Sequence, residues 1–361
     1  MYDMQLNIES ISILETASIR EAIVSINHGG CGIALVVDEE HHLIGTVTDG
    51  DVRRAMLALL DLGTPIRKIL VLKSDSQYAK PITAILGTKR EELLGLMRQH
   101  VLRQIPILDD NGCVVDLVML NDLVPLDELN LQAVIMAGGL GTRLRPLTED
   151  LPKPMLPVDG KPLIERMIGQ LRQVGIRRIN LMTYYKSEKI VEHFGDGHAF
   201  GVELNYVDEE RPLGTGGALG LMPHPNGPVL VINGDILTQV DFHAMLDFHQ
   251  ENHSDMTIGV RRYEMQVPYG VIECEGVRVR RLQEKPQVGF LVNAGIYLLE
   301  PSVYQFIPQN SNFNMTDLIQ WLLDAGRTVV SFPIHEYWLD IGQHEDYTQA
   351  QGDAKNGRFR E

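Results

Sequence analysis

The hydrophobic and polar positions of the chain change period repeatedly, which predicts many short strands and helices. Residues 32–38 form an apolar run that ends in an aspartate, as a buried strand entering a turn does. Apolar residues at helical spacing within 19–26 predict a helix before this strand. A second strand is predicted over 43–47, and a helix is predicted from Asp51. The N-terminal pattern is therefore helix, strand, strand, helix.

This pattern occurs twice. Residues 103–109 read as a second copy of the strand at 32–38, and at the same offset Asp51 falls on Asp122 with no gap. Two units that each bury one face are expected to stack on each other. We therefore predict a first domain of two repeats.

The domain bounds follow from the same pattern. The first domain is predicted over 1–126, with repeats at about 1–70 and 71–126. Pro125 and the short acidic stretch that follows it predict a linker. The second domain is predicted over 131–361.

The first repeat resembles a CBS (cystathionine-β-synthase) repeat. That family has a Gly-x-x-Thr-x-x-Asp element whose Thr and Asp hold a ribose, and Gly45, Thr48 and Asp51 match it. In the second repeat only Asp122 of this element remains. The resemblance implies a CBS pair (Bateman module) with one intact site for AMP, ADP or ATP. The alternative is a structural pair used for dimerisation, in which Asp51 only stabilises a helix N-terminus.

Strand and helix signals alternate in the second domain. Buried strands are predicted over 131–137, 179–183 and 229–232, and helical stripes over 163–174 and 242–249. Repeated strand–helix units imply a mostly parallel sheet covered by helices. The predicted fold class is thus α/β.

Composition limits the possible functions. The chain has 361 residues, 44% of them hydrophobic, and a net charge of −16. Such an acidic chain is a poor partner for a nucleic-acid backbone. No apolar run is long enough to span a bilayer, so no membrane partner is expected. The three cysteines form no metal or disulfide pattern, which is typical of the cytoplasm.

A glycine-rich loop follows the first strand of the second domain. Residues 138–146 read GGLGTRLRP, and residues 153–157 read KPMLP. Glycines allow backbone amides to approach an anion closely, and Arg143 and Lys153 add two cations. The loop lacks the Gly-Lys-Ser/Thr ending of a Walker motif. Taken alone, such a loop is more often just a tight turn.

Together these motifs resemble the signature of the sugar-phosphate nucleotidyltransferases, also called nucleotide-sugar pyrophosphorylases. Further family motifs follow in order, at 209–219, 233–235, 284–286, 292–297 and 338–342. The resemblance covers Leu131 to the end of the chain and is strongest to bacterial sugar-1-phosphate guanylyltransferases. It implies a Rossmann-like, GT-A-like domain that makes a nucleotide sugar and pyrophosphate for surface-glycan synthesis. A homodimer or a higher homo-oligomer is also expected.

The resemblance assigns roles to individual residues. Arg143 and Lys153 would contact the triphosphate, and Lys285 would contact the sugar phosphate. Asp235 and Asp340 would hold Mg²⁺, which takes one or two carboxylates beside substrate oxygens; the alternative for each is a capping or turn role. The other nucleotide-binding residues are Ala137, Gly138, Gly139, Gly141, Thr142, Glu209, Gly214 and Thr215. The sugar-binding residues are Gly270, Glu284 and Asn293.

The base preference rests on Glu209, which faces the base edge by resemblance. A carboxylate only accepts hydrogen bonds, and guanine presents two adjacent donors. GTP is therefore the favoured substrate, with either Glu209 or Glu210 as the residue that contacts the base. The alternatives are a uridylyl- or thymidylyltransferase of the same fold, or an inactive nucleotide sensor.

Overall fold

The computed structural model describes residues 7–74, 79–100, 102–123 and 131–359. The chain divides into two compact units, Met1–Asp127 and Glu128–Glu361. The predicted linker at 124–130 lies outside the described residues. No helix of the described residues is long and apolar enough to cross a membrane.

The first repeat of unit 1 contains a three-stranded sheet in the order β1-β2-β3. β1 and β2 are parallel, and β2 and β3 are antiparallel. The apolar faces of α2 and α3 pack on this sheet with Ala34, Val36 and Val47 in one core. The elements are α1 (Ile8–Ile11), β1 (Ser12–Leu14), α2 (Ile19–Gly29), β2 (Ile33–Val37), β3 (Leu43–Thr48), α3 (Asp49–Leu57) and α4 (Ile66–Leu72).

The second repeat has the same architecture as the first. Its sheet order is β4-β5-β6, again with a parallel first pair and an antiparallel second pair. Leu93 and Met97, predicted on one helix face, are buried in its core with Ile105 and Ile107. The elements are β4 (Ala84–Ile85), α5 (Arg90–His100), β5 (Gln104–Leu108), β6 (Val114–Met119) and α6 (Leu120–Leu123).

The predicted start of the helix at Asp51 is wrong by two residues. α3 begins at Asp49, because Thr48 is its N-cap and Asp51 is the third helical residue. The Thr48 hydroxyl accepts from the Asp51 amide, and the Asp51 carboxylate accepts from the Thr48 amide. This reciprocal capping box satisfies two amides that a helix end otherwise leaves without partners.

Unit 2 contains the predicted mostly parallel sheet, with seven strands in the order β11-β10-β7-β12-β17-β14-β18. β17 is antiparallel to both of its neighbours, and the other pairs are parallel. The first strands and helices are β7 (Gln132–Met136), β8 (Pro157–Val158), β9 (Lys161–Pro162), α7 (Leu163–Gln173), β10 (Arg178–Thr183), α8 (Ser187–Phe194), β11 (Glu203–Asp208), α9 (Gly214–Gly217) and β12 (Val229–Asn233).

The second half of unit 2 adds two small antiparallel pairs, β13 with β19 and β15 with β16. Its elements are β13 (Ile236–Thr238), α10 (Phe242–Glu251), β14 (Met256–Gln266), β15 (Val271–Glu275), β16 (Arg278–Gln283), β17 (Gln287–Leu299), α11 (Met315–Asp324), β18 (Val329–Pro333), β19 (Trp338–Asp340) and α12 (His344–Lys355). β18 pairs with β14 only as far as Val260. Beyond that residue β14 and β17 continue as a two-stranded ribbon.

One apolar core joins the parts of unit 2 that carry the candidate site. Leu144 from the glycine-rich loop, Leu237 from β13, Ile341 after β19 and Ala350 from α12 are all buried in it. The Tyr337 hydroxyl also donates to Asp353 Oδ2 on α12 at 2.9 Å. The loop and the two short strands are thus held by the same packing.

Candidate active site

The glycine-rich loop after β7 contains backbone amides without a hydrogen-bond partner among the residues that the structure describes. The Ala137 amide still donates to Met182 O at 2.8 Å, as part of the sheet edge. Within the described part of the chain, no amide of residues 138–141 donates a hydrogen bond. Successive unpaired amides in such a loop form a concave site for an anion. The loop is therefore a cradle suited to phosphate oxygens.

Two glycines of this loop are required by close approach. Gly141 has a φ of +60°, and a Cβ on it would lie 2.9 Å from Thr148 Cγ2. A Cβ on Gly138 would lie 2.7 Å from Glu209 Oε1. Gly141 is thus needed for the turn, and Gly138 is needed for the position of the Glu209 carboxylate.

The structure brings Asp235 and Asp340 together. Asp235 follows β12, and the next strand pairs with β19 so that Ile236 lies opposite Asp340. The Ile341 amide donates to Asp235 O at 3.0 Å. Burial raises the pKa of the Asp340 carboxyl, and the charge of Asp235 raises it further. These two side chains form an acid pair in which one charge disfavours the other.

The two predicted cations lie at this acid pair. Lys153 is buried, and its Nζ lies 2.5 Å from Asp235 Oδ2. The charges of Lys153 and Arg143 both oppose the rise in the pKa of Asp340. A Cβ on Gly342 would lie 3.8 Å from both Arg143 Nη1 and Asp340 Oδ1. Two cations and two carboxylates thus meet next to the amide cradle.

Glu209 lies between the glycine-rich loop and α9. Its amide donates to Thr183 O, and its Oε2 accepts from the Leu213 amide at 2.7 Å. Burial raises the pKa of this carboxyl, against the effect of the Leu213 hydrogen bond. Glu210, the alternative base-contacting residue, is exposed. The held, half-buried Glu209 is the better placed of the two.

Thr215 has a structural contact as well as its predicted role. Its Oγ1 accepts from the Met315 amide at the start of α11 at 3.0 Å. Gly214 has a φ of +77°, and a Cβ on it would lie 2.7 Å from Phe313 O. The Gly214–Thr215 turn is therefore fitted closely against the segment before α11.

The predicted sugar-binding residues are more dispersed. A Cβ on Gly270 would lie 3.0 Å from Glu284 Oε2, so these two residues are adjacent. Lys285 is exposed, with a φ of 45°, and no described contact joins it to the acid pair. Asn293 Oδ1 accepts from the Gly295 amide at 3.0 Å. The structure thus places Gly270 next to Glu284, but among the described residues it shows no contact between Lys285 and the acid pair.

Two polar residues of the site, Tyr297 and Asn233, lie within the predicted motifs but have no role assigned by the resemblance. Burial raises the pKa of Tyr297 to about 12, although the Asn293 side chain bonds to it, and the charge of Asp235 adds to the rise. Asn233 Oδ1 is buried without a hydrogen-bond partner among the described residues. The position of Asn233 just before Asp235, at a strand end, was the available signal.

The donor set fits a magnesium ion. Mg²⁺ prefers oxygen ligands and takes few from protein, mostly carboxylates. Asp235 and Asp340 offer carboxylate oxygens, and Asn233 has an unpaired buried oxygen in the same motif. All these atoms are oxygens, and Lys153 already balances one of the charges. These residues could hold Mg²⁺.

The fold and the site define an α/β protein with a phosphate cradle beside an acid pair. Comparison with known proteins gives the family. Residues 132–357 match the family model "Nucleotidyl transferase", and residues 6–58 match "CBS domain". The chain therefore belongs to the nucleotidyl transferase family. The expected family is confirmed, and the CBS match covers the first of the two repeats in the predicted CBS pair.

Individual relatives are similar over unit 2. The mannose-1-phosphate guanylyltransferase of Mycobacterium tuberculosis is 35% identical over 232 residues, which are 62% of this chain and 65% of that protein. The D-glycero-alpha-D-manno-heptose 1-phosphate guanylyltransferase of Aneurinibacillus thermoaerophilus is 32% identical over 63% of this chain and 99% of that protein. The chain thus spans less than two thirds of the length of the mycobacterial relative.

A solved structure has the same fold. It is a Bacillus anthracis protein named as a glucose-1-phosphate thymidylyltransferase, in complex with sucrose. Its TM-score is 0.52 at 25% identity, and the match covers 64% of this chain and 98% of that one. The predicted α/β fold class is confirmed.

Proposed function

We propose that the protein transfers a nucleoside monophosphate from a nucleoside triphosphate, with GTP favoured, to a sugar 1-phosphate. The products are a nucleotide sugar and pyrophosphate. The observation that carries this proposal is the meeting of Lys153, Arg143, Asp235 and Asp340 beside unpaired loop amides. The guanylyltransferase names of the two relatives support the choice of reaction.

The reaction needs charge balance and alignment rather than proton transfer. An oxygen of the sugar phosphate attacks the α-phosphorus, a new P–O bond forms, and the bond to the β-phosphate oxygen breaks. The electron pair leaves with pyrophosphate. The attacking oxygen is already ionised at neutral pH, so no general base is required. Both partners are anions, and their repulsion must be reduced before they align.

The residues of this chain provide that alignment. The amides of residues 138–141 bind phosphate oxygens, and Arg143 binds the pyrophosphate that leaves. Lys153 contacts the triphosphate. Asp235 and Asp340 would hold magnesium, which when bound screens the charge between the two anionic partners.

The base is selected by Glu209. Its carboxylate is held by the Leu213 amide and lies close to Gly138, so it presents acceptors at the edge of the cradle. Guanine offers two adjacent donors, whereas uracil and thymine place carbonyls beside their single donor. A site with a buried acceptor disfavours a base that leaves that acceptor without a partner.

A pyrophosphate-release assay tests the proposal. The whole chain is incubated with Mg²⁺, one of GTP, ATP, CTP, UTP or dTTP, and mannose 1-phosphate, D-glycero-α-D-manno-heptose 1-phosphate, glucose 1-phosphate or glucosamine 1-phosphate. We expect release with GTP and at least one sugar, and its loss in Asp340→Asn. Asp324→Asn, at the end of α11, is the matched control and should retain activity.

Two results would count against the proposal. Nucleotide binding with no pyrophosphate release from any pair would favour an inactive nucleotide sensor. A clear preference for UTP or dTTP would contradict the role given to Glu209 and favour a uridylyl- or thymidylyltransferase.

A further inference from the structure

In the first repeat of unit 1, helix α4 and the lysine that follows it contact the residues of the CBS element. Helix α4 packs against β3 at Gly45, where a Cβ would lie 2.9 Å from Leu70 Cδ2. A side chain at this position would therefore push Leu70 away. The packing of α4 therefore explains why position 45 is a glycine, without any role for a ligand.

The carboxylate of Asp51 is saturated by groups of the chain. Its Oδ2 accepts from the Thr48 amide and hydroxyl, both at 3.0 Å, and from Lys73 Nζ at 2.7 Å. Its Oδ1 accepts from Arg54 Nη2 at 2.7 Å. A carboxylate offers about four acceptor positions. Three of these donors bond to Oδ2 and one to Oδ1, so a ribose diol would have to compete with them, most strongly at Oδ2.

Lys73 is held from a second side. It caps the C-terminus of α4, and its Nζ also donates to Thr46 O on β3 at 3.2 Å. The side chains of Lys73 and Asp51 are 9% and 4% exposed. Burial raises the pKa of Asp51, but Lys73, Thr48 and Arg54 together bring it below its ordinary value. Asp51 is thus a buried, ionised and fully bonded group.

A neutral hydroxyl is a weak competitor for this position. Hydrogen bonds between charged groups are about twice as strong as those between neutral ones. Removing one partner of a buried pair also leaves the other charge without compensation, which is strongly unfavourable. To bind at Oδ2 a ribose would have to displace the buried Lys73 and accept that loss, whereas Arg54, whose side chain is 56% exposed, is held less firmly.

We propose that Asp51 is the docking point of Lys73, which holds α4 on the sheet, and that Asp51 is not a ribose acceptor. The three residues that resemble the CBS element then serve one purpose. Gly45 admits Leu70, Thr48 caps α3, and Asp51 binds the ammonium group at the end of α4. This inference concerns unit 1 and does not depend on the catalytic proposal.

Hydrogen–deuterium exchange on the whole chain tests the docking. The variants are Lys73→Met, Asp51→Asn and their double variant. Each single variant should accelerate exchange of the α4 amides by about tenfold, because the last turn loses its anchor. The double variant should exchange no faster than the singles, since both remove the same pair. Lys68→Met, an exposed lysine on the same helix, should leave exchange unchanged. Unchanged exchange in Lys73→Met would overturn the proposal.

Calorimetry with AMP tests the second part of the proposal, that Asp51 is not a ribose acceptor. AMP is chosen because it lacks the triphosphate that the cradle in unit 2 favours. The affinity of the wild-type chain for AMP should be the same as that of Asp51→Asn. AMP binding that is lost in Asp51→Asn would overturn the proposal.

A measurement on the wild-type chain covers the case in which Asp51→Asn does not fold. Exchange of residues 66–73 is compared with and without AMP. Unchanged exchange supports the docking role, whereas exchange that changes with AMP means that a nucleotide reaches Asp51 and contradicts it.

Discussion

Two regions of unit 2 carry the proposed chemistry, and they are built differently. The phosphate-side cluster consists of the loop 138–141 with Arg143, Lys153, Asp235 and Asp340. The sugar-side ribbon consists of residues 261–292. Lys153 is 8% exposed and bonded to Asp235, whereas Tyr269 on the ribbon is 74% exposed. The cluster is fixed by packing and charge, whereas the sugar-side ribbon is built of two antiparallel strand pairs, β14 with β17 and β15 with β16.

This difference indicates how each region acts. Groups in the cluster are close-packed and partly dehydrated, so loss of one atom changes the balance of several charges. Side chains on the ribbon are hydrated and can adjust, so single changes there are expected to have small effects. Substitutions should therefore affect turnover in the cluster and sugar affinity on the ribbon.

The largest effect is expected from Asp235→Asn. The change keeps the shape of the side chain but removes a charge that balances Lys153 and would hold Mg²⁺. Turnover with GTP and a sugar 1-phosphate should fall by about 10³-fold. Steady-state pyrophosphate release measures it.

The control for this change is Asp241→Asn. Asp241 is the N-cap of α10, and asparagine caps as well as aspartate. Its activity should stay near that of the wild-type chain. Turnover of Asp235→Asn within a few fold of wild type would show that the acid pair does not act on the phosphates.

Lys153→Met should separate two effects within the cluster. Loss of a cation from the triphosphate site should lower turnover by about 10²-fold. The same change removes the ammonium group that lies 2.5 Å from Asp235 Oδ2. Without nucleotide, Mn²⁺ used as a spectroscopic probe should therefore bind more tightly than to the wild-type chain.

Lys189→Met, an exposed lysine on α8, is the matched control and should change neither quantity. Weaker Mn²⁺ binding in Lys153→Met would contradict a competition between the ammonium group and the metal for Asp235.

The contrast between the regions also explains what sequence reasoning could predict. The strand at 229–232 is predictable because a buried apolar run leaves a clear pattern, and the acids at 235 and 340 follow from the resemblance of their motifs to the family. The pairing of β13 with β19, which places Asp340 opposite Ile236, joins residues about a hundred positions apart. Such a pairing is tertiary and leaves no local pattern. The role of Lys153 as a partner of Asp235 was missed for the same reason.

In unit 1 the CBS element could be recognised in the sequence, but its contacts with other parts of the chain could not be predicted. Gly45, Thr48 and Asp51 match the CBS element, yet Leu70 and Lys73 contact two of these residues from a helix further along the chain. The helix start was misplaced by two residues because a capping box sets it, and apolar periodicity does not show a cap.

Glu209→Gln tests the base contact at the edge of the cluster. A glutamine keeps one acceptor but places an amide donor against guanine donors. The kcat/KM for GTP should fall by about 10- to 100-fold, while that for UTP should fall less or rise. Glu210→Gln, its exposed neighbour, should leave the ratio unchanged. If the two variants behave alike, Glu209 does not select the base.

Lys285→Met moves the test to the ribbon. The lysine is exposed and has no described contact with the acid pair, so its attraction to a sugar phosphate is screened by water. The KM for the sugar 1-phosphate should rise by about fivefold, with kcat nearly unchanged. Arg278→Met, a cation on the same ribbon, is the control. A large fall in kcat would place Lys285 with the cluster and break the contrast between the regions.

Gly270→Ala should have the smallest effect and is the finest test of the contrast. The added Cβ would lie 3.0 Å from Glu284 Oε2, so the carboxylate must move by a few tenths of an ångström. Because Glu284 is exposed, it can move at little cost, and the KM for the sugar should rise by about twofold. Gly289→Ala, whose Cβ would lie 3.5 Å from Arg262 Nε, should change nothing. A loss of turnover in Gly270→Ala comparable with that of Lys153→Met would mean that Glu284 is held as rigidly as the cluster, and that the ribbon positions the sugar phosphate for attack as well as binding it.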